Sequence, residues 1–147
     1  MRIWRATPEE AGDVARLLIG FRNWMERDWP DDASIRASVE RLIGDPDTEY
    51  LLGAPDDGAA AAVAQLRFRW TVWWEAEDCW IEDVFVEESA RGTGLGRAIV
   101  QAAIDRAAER GCRRVDLDTD DYNVPARRLY ESLGFGYGPQ LLLRKRI

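Results

Sequence analysis

Three closely spaced glycines carry the strongest chemical signal in the sequence. Gly92, Gly94 and Gly96 follow an apolar segment that ends at Val86, and a helical pattern begins among them. Glycine lets backbone amides approach a ligand closely, and a helix N-terminus adds the positive end of its dipole. The loop therefore suits a phosphate or pyrophosphate. It is not a Walker loop, which ends in Gly-Lys-Ser/Thr, nor the dinucleotide fingerprint, whose third glycine would fall at Arg97. Alternatively, the three glycines only form a tight turn between a strand and a helix.

A second pattern lies downstream of the glycine loop. It reads Asn123-x-x-Ala126-x-x-Leu129-Tyr130-Glu131-x-Leu133-Gly134-Phe135. The first pattern, Arg91-x-x-Gly94-x-Gly96, resembles the acyl-CoA pyrophosphate motif of the GNAT superfamily of N-acyltransferases, and the downstream pattern resembles that superfamily's second motif. One helix, one strand and one turn are predicted between them, as in that fold. The resemblance implies a GNAT-like fold over nearly the whole chain and an N-acetyltransferase activity.

The resemblance also implies that acetyl-CoA binds along this segment as the co-substrate. The amides of Val84 and Val86 would pair with the pantetheine arm, which lies along a splayed strand edge like an added β-strand. The backbone of residues 92–97 would hold the pyrophosphate, and Arg91 and Arg97 would add positive charge. The implied binding set comprises the strand residues Val84, Phe85 and Val86, the loop residues Arg91, Gly92, Thr93, Gly94, Leu95, Gly96 and Arg97, and the helix residues Asn123 and Ala126.

Tyr130 lies seven residues after Asn123, on the same face of the predicted helix. In this family a tyrosine at that position typically protonates the departing CoA thiolate, so the resemblance implies that Tyr130 is the general acid. A tyrosine pKa of about 10 lies above a thiol pKa of about 8.5, so the hydroxyl is protonated at neutral pH. A core position is the alternative for Tyr130. Asn123 would bond the pantetheine or the sulfur side, and a helix N-cap fits its position equally well.

The absence of histidine limits the available chemistry. Ser-His-Asp and Cys-His pairs and histidine metal sites are excluded. Cys79 and Cys112 lie far apart and outside metal-ligand spacing, which favours buried apolar positions. We therefore expect no metal, and acid–base groups drawn from aspartate, glutamate, tyrosine or lysine.

Two adjacent carboxylates, Glu82 and Asp83, are the candidate bases. Strand alternation sends them to opposite faces, so only one is expected to face the acceptor amine. The segment Ile81–Val86 resembles the polyamine and small-diamine acetyltransferases of the superfamily. We favour Glu82 as base or amine anchor, with Asp83 as the alternative and a structural hydrogen-bonding role for both as the third interpretation.

Aromatic and acidic residues alternate between the first two predicted helices, where this family forms one wall of the acceptor site. Trp24, Glu26 and Trp29 are the candidate substrate-binding residues, because aromatic rings and carboxylates together bind cationic amines. The segment Trp70–Asp78 has the same character. Alternatively, the tryptophans pack the core or form the contact of a homodimer, and the acids lie on the surface.

The resemblance leaves several functions open. We favour acetyl transfer from acetyl-CoA to a small cationic primary amine, by direct attack in a ternary complex. The alternatives are acetylation of a protein N-terminus or lysine, and a non-catalytic acyl-CoA-binding regulator on the same fold. The sequence does not name the amine, because specificity in this family resides in variable loops.

The elements predicted along the chain follow the order β-α-α-β-β-β-α-β-α-β-β. This order predicts an α/β fold with a mixed sheet: an antiparallel N-terminal half and a parallel pair joined by the helix Gly94–Arg110, with helices on both faces. The last two strands are predicted at Phe135–Tyr137 and Gln140–Lys145. No linker divides the chain, so residues 1–147 are expected to form one domain.

Helix starts are marked by capping residues. Thr7 is the predicted N-cap of the first helix, with Glu10 at the capping-box position. Either Asp32 or Ser34 is expected to cap the second helix.

Composition and charge exclude several protein classes. The 147 residues are 46% hydrophobic, which argues against disorder, and the net charge of −7 argues against non-specific nucleic-acid binding. No apolar run approaches the ~20 residues that span a bilayer, and the N-terminus lacks a signal-peptide core. We therefore expect a cytoplasmic protein whose partner is a small molecule and neither a membrane nor a nucleic acid.

Overall fold

Five strands form one mixed sheet in the computed structural model, which describes residues 1–147. In sheet order they are β1 (Arg2–Arg5), β2 (Thr48–Ala54), β3 (Ala62–Thr71), β4 (Ala76–Val86) and β5 (Arg114–Asp116). The helices are α1 (Ala11–Trp24), α2 (Asp32–Ile43), α3 (Leu95–Glu109) and α4 (Val124–Ser132). Strands β1 to β4 pair antiparallel, and β4 pairs parallel with β5 through the α3 crossover. The predicted mixed sheet is thus confirmed.

The two faces of the sheet carry separate apolar layers. Alternate residues of β2, such as Leu51 and Leu52, belong to different layers because successive side chains point to opposite faces. Leu52 packs with Val14 and Leu17 of α1 and with α2. Leu51 packs in the layer that α3 and α4 cover. The prediction of helices on both faces is therefore confirmed.

Helix caps fix the chain before α1 and α2. The backbone N–H of Thr7 donates to Glu10 at 2.8 Å, which completes the predicted capping box. The cap of α2 is Asp31, whose carboxylate accepts from the Ser34 amide at 2.8 Å, so the prediction of Asp32 or Ser34 was wrong. Asp32 instead lies in the first turn and pairs with Arg22 of α1 at 2.8 Å. The Arg22–Asp32 pair joins the two ends of the α1–α2 loop.

A buried glutamate fastens α3 to the sheet. Glu49 of β2 is buried, and both its oxygens accept from the guanidinium of Arg106, at 2.7 and 2.8 Å. Arg5 and Arg110 complete the ion-pair group at 3.5 and 3.4 Å. The Arg106 hydrogen bonds outweigh burial and lower the pKa of Glu49. Because paired buried charges are held in fixed geometry, this group sets the position of α3 and of the loop before it.

The two C-terminal strands of the predicted order do not form. No strand follows α4, and residues 135–147 lie outside any helix or strand. Glycines at 134, 136 and 138 and Pro139 interrupt this segment, and proline lacks the N–H that a ladder needs. The run Leu141–Leu143 has no polar–apolar alternation, and all three of its side chains are exposed. With only three residues in β5, the sheet edge also offers little backbone to pair with.

Candidate active site

The centre of the candidate site is a gap between β4 and β5. The parallel pairing runs only from Asp78–Arg114 to Trp80–Asp116, whereas β4 continues to Val86. Beyond this point one edge of β4 has no neighbouring strand.

The backbone groups of Val84 and Val86 face this open edge. The amide of Glu87 donates back to Ala61 before β3 at 2.8 Å, so by alternation the amides two residues apart, at 84 and 86, point away from β3. The carbonyl of Val86, on the same side as its amide, accepts from Arg91 Nε at 3.0 Å. The open edge therefore presents the two amides that the sequence predicted as ligand donors.

The glycine loop supplies a second row of free donors. Gly92 and Gly94 have φ of 74° and 88°, the left-handed region that favours glycine. Backbone amides from residue 92 to residue 97 donate to no protein acceptor, since the first bond of α3 runs from Ala98 to the Gly94 carbonyl at 3.0 Å. Consecutive free N–H groups at a helix N-terminus form a cradle for an anion such as a phosphate.

Gly96 lies where the anion-binding loop meets the gap. A β-carbon placed there would lie 3.6 Å from Val86 Cγ2 and 3.8 Å from Leu129 Cδ2. The α-carbon of Gly96 therefore faces the space between the end of β4 and α4. A larger side chain at this position would fill that space.

The two predicted phosphate-binding arginines already have protein partners. Arg91, besides its bond to Val86, lies 5.4 Å above the ring of Trp24. Arg97 donates to Ser132 of α4 at 2.6 Å and so links α3 to α4. Both guanidinium groups are near the loop, and each would have to share or exchange these partners to contact a phosphate.

Helix α4 forms the other wall of the gap. Asn123 is its N-cap and accepts from the amide of Ala126 at 3.3 Å, as the capping interpretation predicted. Tyr130 is half-buried, with its ring edge-on to Phe135 at 5.9 Å between centroids. Burial, with a smaller contribution from the charge of Asp118, raises the pKa of Tyr130. The tyrosine therefore holds its proton at neutral pH.

A β-bulge separates the two adjacent carboxylates. Leu66 of β3 pairs with Ile81 and the next residue, Gln65, pairs with Asp83, which leaves Glu82 as the extra residue of β4. The strict alternation used to predict opposite faces is interrupted here. Glu82 is exposed, whereas Asp83 is half-buried.

Asp83 has the strongly perturbed carboxyl of the pair. Burial raises the pKa of Asp83 to about 6, and the charges of Glu82 and Asp118 add to the increase. The negative charge of Asp118, which follows β5, thus acts on both Asp83 and Tyr130. Sequence reasoning missed Asp118, which follows β5 without any motif of its own.

Aromatic side chains line the α1 side of β4. Phe85 stacks on Phe21 at 5.4 Å, and Phe21 on Trp24 at 6.1 Å. Trp24 is thereby connected to β4, and its own ring is about half exposed at 52%. Glu26 and Trp29 are exposed and make no hydrogen bond, ion pair or aromatic contact with the β4 carboxylates.

The α1–α2 loop comes near the segment before α4. Tyr122, before α4, donates to Asp120, which raises the pKa of Tyr122, and the positive charge of Arg27 opposes that increase. Arg27 therefore lies close enough to Tyr122 for its charge to act on the hydroxyl.

The tryptophan-rich hairpin lies elsewhere. Its tip joins Thr71 to Ala76, about 20 Å along β4 from Glu82 at ~3.3 Å per residue. Trp70 and Trp73 are exposed, while Trp74 donates to Asp78 at 3.2 Å. The hairpin is thus separate from the carboxylate pair, and its role as a dimer contact stays a prediction.

The cysteines are unsuited to nucleophilic chemistry here. Cys79 is buried and burial raises its pKa to about 12; burial also raises the pKa of Cys112. Both are free thiols. No group of three carboxylate and cysteine side chains is placed to hold a metal ion, and none of the helices is both long and apolar enough to cross a membrane.

Comparison with known proteins gives a consistent result. The model of the acetyltransferase (GNAT) family matches residues 18–135. The chain is 33% identical to thialysine N-epsilon-acetyltransferase of Bos taurus over 141 residues, which covers 90% of this chain and 82% of that protein. It is 26% identical to aminoglycoside N(6')-acetyltransferase type 1 of Stenotrophomonas maltophilia, with 90% and 84% covered.

The similarity extends to a longer relative and to solved structures. The chain is 31% identical to mycothiol acetyltransferase of Corynebacterium aurimucosum but spans only 38% of its length. A crystal structure of a putative acetyltransferase from Arthrobacter sp. FB24 superposes with a TM-score of 0.86 at 27% identity, covering 100% of this chain and 96% of that one. A probable acetyltransferase at 23% identity shares the fold with a TM-score of 0.90.

The position of Gly96 yields a direct test of the gap. Gly96→Leu should weaken CoA binding about 10- to 100-fold, because overfilling a fitted space costs about 1–3 kcal/mol. Calorimetric titration with CoA measures this. Gly12→Leu, on α1 where no atom lies within 4 Å of an added β-carbon, is the control and should bind like the wild type. If both variants bound CoA with equal affinity, Gly96 would not border the CoA-binding gap.

The raised pKa of Asp83 predicts a pH-dependent stability. The folded carboxyl ionises near pH 6 and the unfolded one near its ordinary value of 3.8, so the folded state loses stability as pH rises through this window. Asp83→Asn removes that loss. Its stability relative to the wild type should increase by about 1 kcal/mol or more between about pH 5 and pH 8.

Urea unfolding at the two pH values measures this difference. Glu88→Gln, at an exposed carboxyl, is the control. A stability difference for Asp83→Asn that is the same at both pH values would show that burial does not perturb this group.

Proposed function

Because the chain belongs to the GNAT acetyltransferase family, we propose that it transfers an acetyl group from acetyl-CoA to a small cationic primary amine, by direct attack in a ternary complex. One observation carries this proposal beyond the family. The open β4 edge and the glycine loop carry a series of free backbone amides, and Asp83 of β4 and Tyr130 of α4, both subject to the charge of Asp118, belong to the two elements that border the gap.

The free backbone amides form a continuous candidate binding site for the co-substrate. The free amides of residues 92–97 suit the pyrophosphate, and those of Val84 and Val86 suit the amide groups of the pantetheine arm. The bare Gly96 leaves room between these two sets. When bound, acetyl-CoA supplies the thioester whose acetyl group is transferred.

Asp83 is the proposed base. A primary amine arrives as an ammonium ion and must lose a proton before its lone pair can attack. With a pKa of about 6, Asp83 is ionised near neutral pH, yet it is basic enough to take that proton through direct contact or one water. Glu82, exposed at the bulge beside it, is the proposed anchor of the ammonium ion.

Tyr130 is the proposed acid. As the amine nitrogen bonds to the carbonyl carbon, the carbon–sulfur bond breaks and its electron pair goes to sulfur. The Tyr130 hydroxyl, kept protonated by burial, gives its proton to that sulfur. The nitrogen then loses its second proton, and the tyrosine regains one, which leaves the amide and the CoA thiol.

Negative charge at the gap favours a cationic acceptor. Glu82, Asp83 and Asp118 lie close enough for the first and third to raise the pKa of the second. An amine between them gains charge–charge attraction in a partly desolvated space. The exposed ring of Trp24 adds a surface for cation–π contact. Thialysine and aminoglycosides, which name two relatives' substrates, are amines of this class.

The enzyme assay that tests the function measures CoA thiol release on a panel of amines. A diamine, an amino sugar and an amino-acid amine should be acetylated, while a peptide N-terminus should be a poor acceptor. Preference for the peptide would favour the protein-acetylating alternative. CoA binding without turnover on any amine or peptide would favour the non-catalytic regulator.

Tyr130→Phe tests the acid in the same assay. Because only a hydroxyl is lost, acetyl-CoA affinity should stay unchanged, and kcat should fall by about 10²–10⁴-fold. Tyr137→Phe, at an exposed tyrosine in the segment after α4, is the matched control and should retain the wild-type kcat. An unaltered kcat in Tyr130→Phe, with chemistry rate-limiting, would make Tyr130 a core residue only.

The pH profile of kcat separates the roles of the two carboxylates. Asp83→Asn should abolish the acidic limb near pH 6 and lower kcat, because the group that titrates there is gone. Glu82→Gln should keep the limb and mainly raise the KM for the amine. If Glu82→Gln abolished the limb and Asp83→Asn only raised the KM for the amine, Glu82 would be the base.

A further inference from the structure

Three polar side chains form a row across the face of the sheet that α1 and α2 cover. Tyr50 of β2 pairs with Gln65 of β3, and Gln65 pairs with Asp83 of β4. Tyr50 and Gln65 are 1% and 4% exposed. Their neighbours on this face, among them Leu52 and Val63, are apolar. Polar groups buried in such a layer are costly unless they are hydrogen-bonded.

The hydroxyl of Tyr50 stands out within this row. It is the one fully buried side-chain oxygen or nitrogen that has no hydrogen-bond partner in the protein. Among charged groups, Asp83 has the largest effect on it and, together with burial, raises the pKa of Tyr50. Two strand spacings, roughly 10 Å, separate the α-carbons of Tyr50 and Asp83, and both residues belong to the same face of the sheet. The effect of the Asp83 charge on Tyr50 indicates that the hydroxyl lies near that carboxylate.

We propose that Tyr50 and Gln65 are positioning residues for Asp83: through one bridging water they hold its carboxylate in the orientation in which it takes the acceptor's proton. This inference rests on the proposed function. A hydroxyl, a side-chain amide and a carboxylate give such a water three partners, the number that buried waters typically have. The row also explains why a hydroxyl without a protein partner lies in an apolar layer.

The surrounding charged groups do not stabilise the ionised carboxylate of Asp83, so hydrogen bonds must do so. Glu82 and Asp118 both disfavour a charged Asp83. The α1 side contributes Arg16, which is paired with Glu87. None of these groups is a cation that contacts the Asp83 carboxylate.

Two further cations lie on the neighbouring loop and strand, and neither forms an ion pair with Asp83. Arg91 donates to the carbonyl of Val86, and Arg67 on β3 acts on Tyr50, where its charge lowers the pKa. Tyr130 across the gap is neutral. Hydrogen bonds donated by the row therefore stabilise the charged form of Asp83, and their loss should raise the pKa of Asp83.

Tyr50→Phe removes the hydroxyl alone. A purely structural hydroxyl without a partner would leave activity unchanged when it is lost. A positioning hydroxyl should shift the acidic limb of kcat upward by roughly one pH unit, which lowers kcat about fivefold at pH 6 and less than about twofold at pH 9. The KM for acetyl-CoA should not change.

Two further variants control the result. Gln65→Leu should produce the same upward shift of the limb, and the double variant should add little, because both groups act through one water. Val63→Ala, at an apolar neighbour on the same face, should lower the melting temperature and leave the limb in place. A limb unmoved in both Tyr50→Phe and Gln65→Leu would overturn the proposal.

Titration of the Asp83 carboxyl carbon by NMR tests the row without any turnover. The pKa of Asp83 should rise by about one unit in Tyr50→Phe, in protein free of substrate. If no amine is acetylated yet this pKa rises, the proposed function fails while the row stands. If acetylation occurs and the pKa is unchanged, the row fails alone.

Discussion

Strand β4 loses its parallel partner at Trp80 and Asp116 but continues to Val86, and the arrangement of the site follows from this difference in length. An unpaired strand edge normally invites aggregation. Here the glycine loop and α4 flank the edge, so that Gly96 sits beside Val86 and Leu129. The unpaired edge of β4, which could otherwise pair with another chain, thereby becomes one wall of the gap, and its amides stay free. If β5 paired with β4 along its whole length, it would close the gap and occupy the amides of Val84 and Val86.

Rigid supports hold the two sides of this gap in place. On one side, the ion pairs of Glu49 with Arg106 and Arg110 fix α3 against the sheet, and α3 in turn fixes the glycine loop at its N-terminus. On the other side, Arg97 connects α3 to Ser132 of α4. Catalytic groups perform best when their supports are fixed before the substrate arrives. The acceptor side is less restrained, because the exposed α1–α2 loop is tied chiefly at its ends.

Sequence reasoning identified those features of the site that depend on local backbone chemistry. Gly92 and Gly94 were identifiable because their conformation favours glycine, and Asn123 because a helix N-cap requires a short polar side chain. The bulge at Glu82 was not predicted, because uninterrupted alternation was assumed along β4, whereas the extra residue shifts that alternation by one position. The last two strands were predicted from apolar content that proved to be exposed, in a segment interrupted by glycine and proline. Tyr50 was missed because its row exists only through cross-strand register.

The proposed function requires that the co-substrate binds to the backbone amides that border the gap. Titrating ¹⁵N-labelled protein with CoA and following each amide by NMR tests this most directly. The largest shifts are expected at residues 92–97 and at Val84 and Val86, and the amide signal of Gly12 on α1 should not move. Saturable binding that leaves the amides of the gap unchanged and instead shifts the exposed basic residues Arg144, Lys145 and Arg146 would contradict this requirement.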